Sequence, residues 1–476
     1  MNNLYSRKKN HSSGYLLVLV LVMGSVFLII ISNFIGFVVT QNQLVNFRFE
    51  QQRATEIAEA GLNYYKWHLA HYPGDIQDGT GLPGPYVHQY TDPEDGVIGE
   101  FSLDIDSSTY CGDISSIDVK STAFTYAEPD AVSSVGAKYT RPTVADYSFI
   151  TNGSTWYGSD RVIYGPLHSN QGIRMDGENN SSVGSGQASW TCDSSFGCSP
   201  TKTVDGVYTT GSNATPGLFS FPVSPIDFAG LTLDLSDMKN RAQNNGGIYY
   251  GPTTGYGYRV IFNSNGTVSI YRVNNTYNYI SYSTYEGDHW GERNVITSQT
   301  LLATRTIDSS CPLLFFEDKV WIEGDINQKV TIAAADLNSS AQTNIVIEGD
   351  VDYVSGTNAG LLAIAEDDID IGLTVPDYMT VNGIYIAQNG RFGRNHYSTG
   401  HLSSSYDQYV KRELLTRTGT VVSNGRVGTK WTSSGNFISG FNNRVTSFDL
   451  NQVNSPPPLT PQTSDVYTFK DWRQGG

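Results

Sequence analysis

The feature that most constrains this chain is a long uncharged segment, Tyr15–Thr40, composed mainly of Leu, Val, Ile and Phe. It follows a short leader, residues 1–14, which has three basic residues at positions 7–9 and no acidic residue. An apolar helix of roughly 20 residues can span a bilayer. Basic residues beside a span favour the cytoplasmic side. We therefore expect a single-pass protein of the cytoplasmic membrane with its C-terminus outside.

A secretory signal peptide is the alternative explanation of the same N-terminal pattern. The apolar core of such a peptide is usually about 7–15 residues long and ends at a small-residue cleavage site. Here the apolar segment is longer, and it is followed by Gln41-Asn42-Gln43 without an Ala-x-Ala motif. The pattern therefore favours an anchor that stays attached to the exported part.

The helix is predicted to continue beyond the membrane. Apolar residues recur at three- and four-residue steps, the period of one helical face; they are Ala54, Ile57, Ala58, Gly61, Leu62, Tyr65 and Leu69. Pro73-Gly74 ends the pattern, because proline cannot donate to the helix ladder and glycine tolerates the following turn. The prediction is one helix from Tyr15 to Tyr72, with a transmembrane part at 15–40 and an amphipathic part at 41–72.

These features together resemble the type IV pilins and pseudopilins, and most closely the PilX-type minor pilins. The resemblance rests on the basic leader, on Gly14 directly before the apolar segment, on the long helix and on the stretch Ala58–Leu62. It implies that a prepilin peptidase cuts between Gly14 and Tyr15, and that the helix then packs against other pilin subunits. It covers about the first 70 residues.

One position departs from the usual pilin pattern. Most pilins have a glutamate four residues after the first mature residue, where this chain has Leu19. That glutamate can pair with the N-terminal amine of a neighbouring subunit, whereas leucine cannot. Tip-located pseudopilins and PilX-type proteins often lack it too. The resemblance therefore implies a minor subunit at or near a filament tip.

The composition bounds the exported part. The chain has 476 residues with 48 Gly, 30 Tyr and only 16% charged residues, which suits a mainly β protein with many turns. Its net charge is −16. Nonspecific phosphate binding needs Lys and Arg, so no nucleic acid partner is expected.

The four cysteines are all predicted to be exported and therefore exposed to an oxidising compartment. Cys192 and Cys198 bracket a short loop that one disulfide could close, while the pairing of Cys111 and Cys311 is left open. A zinc site is the other use of cysteine. The chain contains no C-x-x-C motif and its eight His are scattered, so neither a metal nor a cofactor is predicted.

The exported part is predicted to contain three segments. Residues 75–145 form a small antiparallel β module, with strands at 100–106, 117–126 and 132–143. Residues 146–450 form a β-rich head, whose short strands between Gly and Asn favour a parallel β-helix, with a β-sandwich as the alternative. An insertion at about 178–318 interrupts the head. It includes a short helix at 228–242 and a hairpin at 258–271. Residues 451–476 form a proline-rich C-terminal strap.

Two groups of residues suggest chemistry in the head. The carboxylates Glu366, Asp367, Asp368 and Asp370 form a cluster, in which Asp368 and Asp370 share one face of a strand and could act as acid and base or bind calcium. However, glycosidic chemistry needs two facing carboxylates, and adjacency does not supply that geometry. The sequence 168–170, His-Ser-Asn, lies between turn residues, where neighbours rarely meet as a triad does. We therefore predict no catalytic residue and no enzyme.

The expected function is that of a membrane-anchored minor pilin-like subunit, which serves in filament assembly, surface adhesion or both. A surface adhesin would use exposed Tyr and Trp residues to bind host or surface glycans or proteins. A membrane-tethered, glycan-active β-helical enzyme is the other alternative. The sequence leaves open whether the filament is a pilus, a DNA-uptake filament or a type II secretion pseudopilus.

Overall fold

A computed structural model describes residues 13–228, 235–283, 287–338 and 343–475. Residues 1–12 of the predicted leader lie outside the described residues. The chain divides into two compact units. The first comprises Met1–Ile105, Val119–Ala137 and Trp472–Gly476, and the second comprises Asp106–Asp118 and Lys138–Asp471. The mainly β fold with a long N-terminal helix is confirmed.

The described helices and strands have the following bounds. The α-helices are Ser13–His71 (α1), Leu235–Asn244 (α2) and Leu450–Asn454 (α3), and the short 3-10 helices are Val144–Asp146, Ser194–Phe196, Pro216–Leu218, Thr399–His401 and Ser404–Tyr409. The first strands are Tyr86–Asp92 (β1), Gly96–Tyr110 (β2), Asp113–Thr125 (β3), Glu128–Thr140 (β4), Phe149–Thr151 (β5), Thr155–Tyr157 (β6), Arg161–Tyr164 (β7), Leu167–Ser169 (β8), Ile173–Met175 (β9), Glu178–Asn179 (β10), Val183–Ser185 (β11), Ser189–Cys192 (β12), Lys202–Asp205 (β13), Val207–Tyr208 (β14), Phe219–Ser220 (β15) and Ile248–Tyr250 (β16). The remaining strands are Tyr258–Phe262 (β17), Thr267–Ser283 (β18), Gly287–Thr306 (β19), Leu313–Phe316 (β20), Val320–Ile326 (β21), Lys329–Ala334 (β22), Ile345–Tyr353 (β23), Gly360–Ala365 (β24), Ile369–Ile371 (β25), Tyr378–Ala387 (β26), Phe392–Gly393 (β27), Lys411–Ser423 (β28), Lys430–Ser433 (β29), Asn436–Ser447 (β30) and Thr468–Gln474 (β31).

Helix α1 is a single element of 59 residues, or about 89 Å at 1.5 Å per residue. It ends at His71, one residue before the predicted end. The turn beyond it is held by Asp75, whose carboxylate accepts hydrogen bonds from the backbone N–H groups of Gln77 and Gly79, each at 2.8 Å.

The small β module predicted at 75–145 corresponds to a sheet with the order β1-β2-β3-β4-β31. Strands β1 to β4 form an antiparallel meander, in which Tyr86 of β1 is paired with Leu103 of β2. Strand β31 comes from the C-terminal strap and joins the edge beside β4. Burial alternates along β2, where Phe101 and Leu103 are buried and their neighbours are more exposed, so one face of the sheet is covered.

Most strands of the second unit form parallel ladders, which we call the parallel stack. Strand β18 pairs antiparallel with β17 and β19, as do β12 with β13 and β29 with β30. Its first ladder has the order β16-β20-β22-β24-β26-β28-β5-β8-β11-β15, with parallel pairing throughout. Its second contains β17-β21-β23-β25-β27, and β6, β9 and β14 form a separate parallel sheet of three strands. Its third contains parts of β21, β23, β26 and β28, followed by β30, β7 and β10. Parallel pairing of successive strands is expected of a β-helix and not of an antiparallel sandwich.

The order of strands in the stack differs from their order in the chain. Strands β5, β8, β11 and β15 are added in sequence, after which the chain passes to β16 at the opposite end of the first ladder. It then builds back through β20 to β28, and β28 pairs with β5 through Val421 and Phe149. The first coil of the stack is therefore covered by the last.

The first ladder is apolar on both faces. Leu314 and Phe316 of β20 belong to the interior cluster, whereas Leu313 and Phe315 belong to a second cluster on the other face. That second cluster includes Leu235 and other residues of α2. Burial on both faces explains the nearly continuous apolar sequences of β20 and β24, because parallel strands covered on two sides do not alternate with polar residues.

The insertion predicted at 178–318 contains several strands of the parallel stack. Strands β10, β11, β15, β16 and β17 lie within this range and pair in parallel with other coils. Most have only two to four residues, too short for a pattern of alternation. The predicted helix at 228–242 corresponds to α2, and residues 229–234 lie outside the described residues. The predicted hairpin corresponds to the antiparallel pair β17–β18.

Candidate functional site

The first half of α1 presents apolar side chains that nothing in the described chain covers. Every residue from Gly14 to Asn46 is exposed, and one 18-residue window has a mean hydropathy of 2.8. Burying a large aliphatic or aromatic side chain is worth roughly 1.5–3 kcal/mol. The segment is thus long and apolar enough to cross a membrane, which agrees with the predicted anchor.

The second half of α1 packs into its own unit. Ala54, Ile57, Ala58, Leu62 and Tyr65 are all at most 2% exposed. They are members of the apolar face that the three- and four-residue spacing predicts. One helix therefore has an uncovered half and a half built into a folded unit.

Polar contacts fix the helix where these two halves meet. The Glu50 carboxylate accepts a hydrogen bond of 2.6 Å from the Thr125 hydroxyl of β3. Arg53 pairs with Asp95 at 3.1 Å in the turn between β1 and β2. These contacts orient the apolar half relative to the sheet of its own unit.

The predicted processing residues lie at the exposed end of α1. Tyr15 is 78% exposed, and a Cβ atom placed on Gly14 would have no heavy atom within 4 Å. Leu19 is also exposed, at 49%. The described residues therefore impose no packing requirement on Gly14 or Tyr15.

The four predicted carboxylates of the head have different surroundings. Glu366 accepts hydrogen bonds from the backbone N–H groups of Asp336 at 3.0 Å and Thr343 at 3.4 Å, so it holds a loop. Asp367 is next to it at the start of the turn. Asp368 and Asp370 are buried, each about 4% exposed or less.

Arg391 brings Asp368 and Asp370 together. Asp368 accepts a hydrogen bond of 2.6 Å from the Arg391 backbone N–H, and Asp370 pairs with the Arg391 guanidinium at 3.4 Å. Burial, followed by repulsion from Asp368, raises the pKa of Asp370 well above its usual range. One carboxyl of the pair is thereby biased toward its protonated form.

These two carboxylates line an acidic cleft of about 630 Å³. Its lining includes the acidic residues Glu292, Glu317, Asp318, Asp336, Asp368 and Asp370. Glu292 is held in place, since it accepts hydrogen bonds from Tyr279 at 3.0 Å and Asn395 at 2.9 Å. The described residues contain no group of three or more His, Cys, Asp or Glu arranged to hold a metal ion.

The His-Ser-Asn sequence at 168–170 does not form a nucleophile and base. His168 Nε2 is 2.9 Å from Asn170 Oδ1, and the Ser169 hydroxyl donates to the Gly153 carbonyl at 3.0 Å. Asn170 also accepts a hydrogen bond of 2.8 Å from the Ile226 backbone N–H. These residues instead attach the segment after β15 to the parallel stack.

Two disulfides close very different lengths of chain. Cys192 is joined to Cys198, and Cys111 is joined to Cys311, with sequence separations of 6 and 200 residues. Arg241 of α2 and Asn245 donate to the Cys111 carbonyl at 2.9 and 3.0 Å. The Cys111–Cys311 disulfide thus lies beside the chain segment that leads into β16.

Sequence reasoning missed Arg391 and Glu292, which organise the acidic cleft. Glu292 lies on β19 and Arg391 directly before β27, about a hundred residues apart in the chain. The available signal for Arg391 was a basic residue placed between Gly390 and Phe392, directly after the apolar strand segment Ile384–Ala387. A buried cation of that kind needs a carboxylate nearby.

No protein-family model matches the sequence, and no curated protein matches it. Among solved structures, the chain is similar to the crystal structure of the competence-associated pilin ComZ from Thermus thermophilus. The two share 13% identity over 90% of this chain and 98% of that chain, with a TM-score of 0.30. That score is too low to establish a shared fold.

Proposed function

We propose that this chain is a membrane-anchored, pilin-like minor subunit of a type IV pilus or a related filament. The observation that carries the proposal is the division of α1. Its apolar half is exposed throughout Gly14–Asn46, and its second half is packed in a folded unit. Such a helix can rest in the cytoplasmic membrane and later exchange lipid for the helices of other pilin subunits. The second unit would remain outside the membrane and, after assembly, outside the cell.

We place the subunit at or near the filament tip. Leu19 offers no carboxylate to the N-terminal amine of an adjacent subunit, and an unpaired charge in apolar surroundings costs several kcal/mol. A subunit with nothing assembled ahead of it avoids this cost. The second unit extends over more than 300 residues, which is bulky for close helix packing along a shaft. At a tip it would be presented to surfaces, which suits adhesion.

Imaging of sheared filaments tests the tip position. With a label on the second unit, we expect one labelled end per filament, and regular labelling along the shaft would refute the proposal. Leu19→Glu restores a carboxylate and should increase incorporation behind the tip. Leu21→Glu is the matched control, because it adds the same charge at a different position of the helix.

We propose a scaffolding or binding role for the head, without catalysis, since Arg391 engages both buried carboxylates. A glycan-active enzyme is the second candidate, and the raised pKa of Asp370 within the acidic cleft favours it. Glycoside hydrolysis needs one protonated carboxyl and one carboxylate. Turnover of an acidic polysaccharide by the full chain, abolished by Asp370→Asn, would support the enzyme.

A further inference from the structure

The parallel stack has a second cleft, of about 340 Å³, that is basic although the chain carries a net charge of −16. We call it the basic cleft. Its cationic lining residues are Arg161, Arg391, Arg426, Lys430 and Arg444. Two tryptophans, Trp156 and Trp431, also line it. No acidic side chain is among the described residues that line it. This concentration of positive charge requires a physical explanation.

Carboxylates behind the lining balance only part of this charge. Asp160 is shared by Lys430 at 2.7 Å and Arg444 at 2.6 Å. Asp370 pairs with Arg391. Three of the five cations thus contact these two carboxylates. Within the described chain the other two, Arg161 and Arg426, form no ion pair and are attracted only at longer range, by Asp160 and Asp193. Arg426 donates to the Ser195 carbonyl at 3.1 Å, and its guanidinium lies 4.8 Å from the centroid of the Phe196 ring.

Among the cationic residues of the basic cleft, Arg161 has the fewest polar contacts to balance its charge. It is only 9% exposed and lines the cleft. Within the described residues its guanidinium forms no hydrogen bond and no ion pair. It lies between the rings of Phe149 and Tyr157, at 5.7 and 5.9 Å from their centroids. Buried charged groups are normally paired. The Arg161 guanidinium is attracted by Asp160 without an ion pair, so it remains available to an anion in the cleft.

The electrostatics of the neighbouring arginines agree with this interpretation. Burial, with repulsion from Arg444, lowers the pKa of Arg161 to about 9. Burial also lowers the pKa of Arg444 and of Arg426. The Arg444 Nε is buried without a hydrogen-bond partner. An anion in the cleft would stabilise all three charges and supply acceptors.

The tryptophans indicate the shape of the ligand. Trp156 is 36% exposed, and its indole N–H donates to Asp176 at 2.9 Å. Trp431 donates to the Arg394 carbonyl at 2.9 Å. Both rings are therefore fixed by their polar ends while they line the cleft. A fixed aromatic ring can stack on an apolar ring face, and an arginine guanidinium can bind a carboxylate through two N–H groups. The cleft therefore suits a ligand that has both features.

We propose that the basic cleft binds an acidic sugar residue, such as a uronic acid, carried on an otherwise mostly neutral glycan. Arg161, with Arg426 and Arg444 nearby, would bind the carboxylate, and Trp156 or Trp431 would stack on the sugar ring. The volume fits one or two sugar rings. The negative charge of the whole chain opposes a long polyanion such as a nucleic acid.

This proposal deepens the adhesive part of the proposed function, but its test requires no filament. The full chain in detergent is titrated with the methyl glycoside of glucuronic acid and, as the neutral match, with methyl glucoside. Binding is followed by saturation-transfer NMR and tryptophan fluorescence. We expect the acidic sugar to bind at least about 10-fold more tightly than the neutral sugar, because roughly one charge-assisted hydrogen bond makes a difference of this size. We also expect binding of the acidic sugar to weaken as the salt concentration rises.

Arg161→Gln should remove this preference with little loss of thermal stability, because it removes a buried charge that forms no hydrogen bond and no ion pair within the described residues. Arg426→Gln is a second variant in case the first does not fold. Arg305→Gln, at an exposed position on β19, is the matched control and should bind as the native chain does.

Three results would overturn the proposal. One is equal binding of acidic and neutral sugars by the native chain. Another is unchanged preference in both cleft variants. The third is an oligothymidylate probe that binds more tightly than the acidic sugar and depends on Arg161, since that would assign the cleft to nucleic acid. Failure of filament assembly would affect none of these readouts.

Discussion

The backbone of Gly61 on α1 lies directly against the ring of Phe101 on β2. A Cβ atom placed on Gly61 would be 2.8 Å from Phe101 Cδ2 and 2.4 Å from the Ser121 hydroxyl oxygen, both shorter than real Cβ contacts. The helix and the sheet can approach this closely only because position 61 has no side chain. This is the structural reason for the glycine in the stretch Ala58–Leu62.

Gly61→Val should therefore destabilise the first unit by about 1–3 kcal/mol or more, through overpacking. Thermal unfolding of the full chain in detergent measures the effect. Gly36→Val on the same helix is the matched control, because a Cβ there would have nothing within 4 Å. Equal stability of the two variants would contradict the packing argument.

The mature protein is predicted to begin at Tyr15. N-terminal sequencing of the exported form checks this, and a start beyond residue 40 would indicate a secretory signal instead. Gly14→Phe should block processing. Since no described residue packs against position 14, a block would reflect recognition by the peptidase. Gly24→Phe, farther along the helix, should leave cleavage unchanged.

The two disulfides are predicted to contribute unequally to stability. By the loop-entropy relation, closing a separation of 200 residues contributes about 5 kcal/mol, and closing one of 6 residues contributes about 2 kcal/mol. Replacing Cys111 and Cys311 together by serine should therefore lower the denaturation midpoint more than replacing Cys192 and Cys198. Denaturant unfolding measures both, and peptide mapping without reductant verifies the pairing. The reverse order of midpoints would contradict this account.

Glu348 is predicted to make stability depend on pH. Its carboxylate is 3.2 Å from Arg259, which also pairs with Glu323. Burial raises the pKa of Glu348 from 4.5 to about 7, against the lowering influence of Arg259. A raised folded pKa means that the contribution to stability is full below pH 4.5 and is lost as the pH rises through about 7.

Glu348→Gln should reduce this loss of unfolding free energy by up to about 3 kcal/mol between pH 4.5 and pH 8. One pKa unit corresponds to about 1.36 kcal/mol. Urea unfolding across this range measures the slope. Glu94→Gln, at an exposed position, is the matched control and should keep the native slope. An unchanged slope in Glu348→Gln would show that another group causes the pH dependence.

The parts of the fold that follow from local pattern were predictable from the sequence. The helix was predicted to within a few residues, because its apolar period and Pro73-Gly74 are local signals. The hairpin of β17 and β18 was likewise marked by Asn263–Gly266 between two β-rich segments. Neither prediction depended on knowing which distant segments meet.

The arrangement of the sites was not predictable, because it depends on pairing between distant coils. Arg161 and Arg444 meet at the basic cleft only because β30 stacks beside β7. The net charge of the whole chain, −16, gives no indication of a local excess of cations. The sequence also left open whether Cys111 and Cys311 are joined, because they are 200 residues apart in the chain.

If the chain is exported as proposed, the stacking of β28 on β5 determines when the head can complete its fold. With the N-terminus held in the cytoplasm and the segment after α1 crossing in chain order, residues 149–220 emerge before residues 411–447. One end of their ladder is then without a neighbour. That end acquires its cover only when residues 411–447 have also been translocated. Until then Phe149 is uncovered and the edge of β5 is unpaired. An unpaired strand edge can pair with a strand of another chain and so cause aggregation. Completion of this unit must therefore follow, rather than accompany, passage of nearly the whole chain.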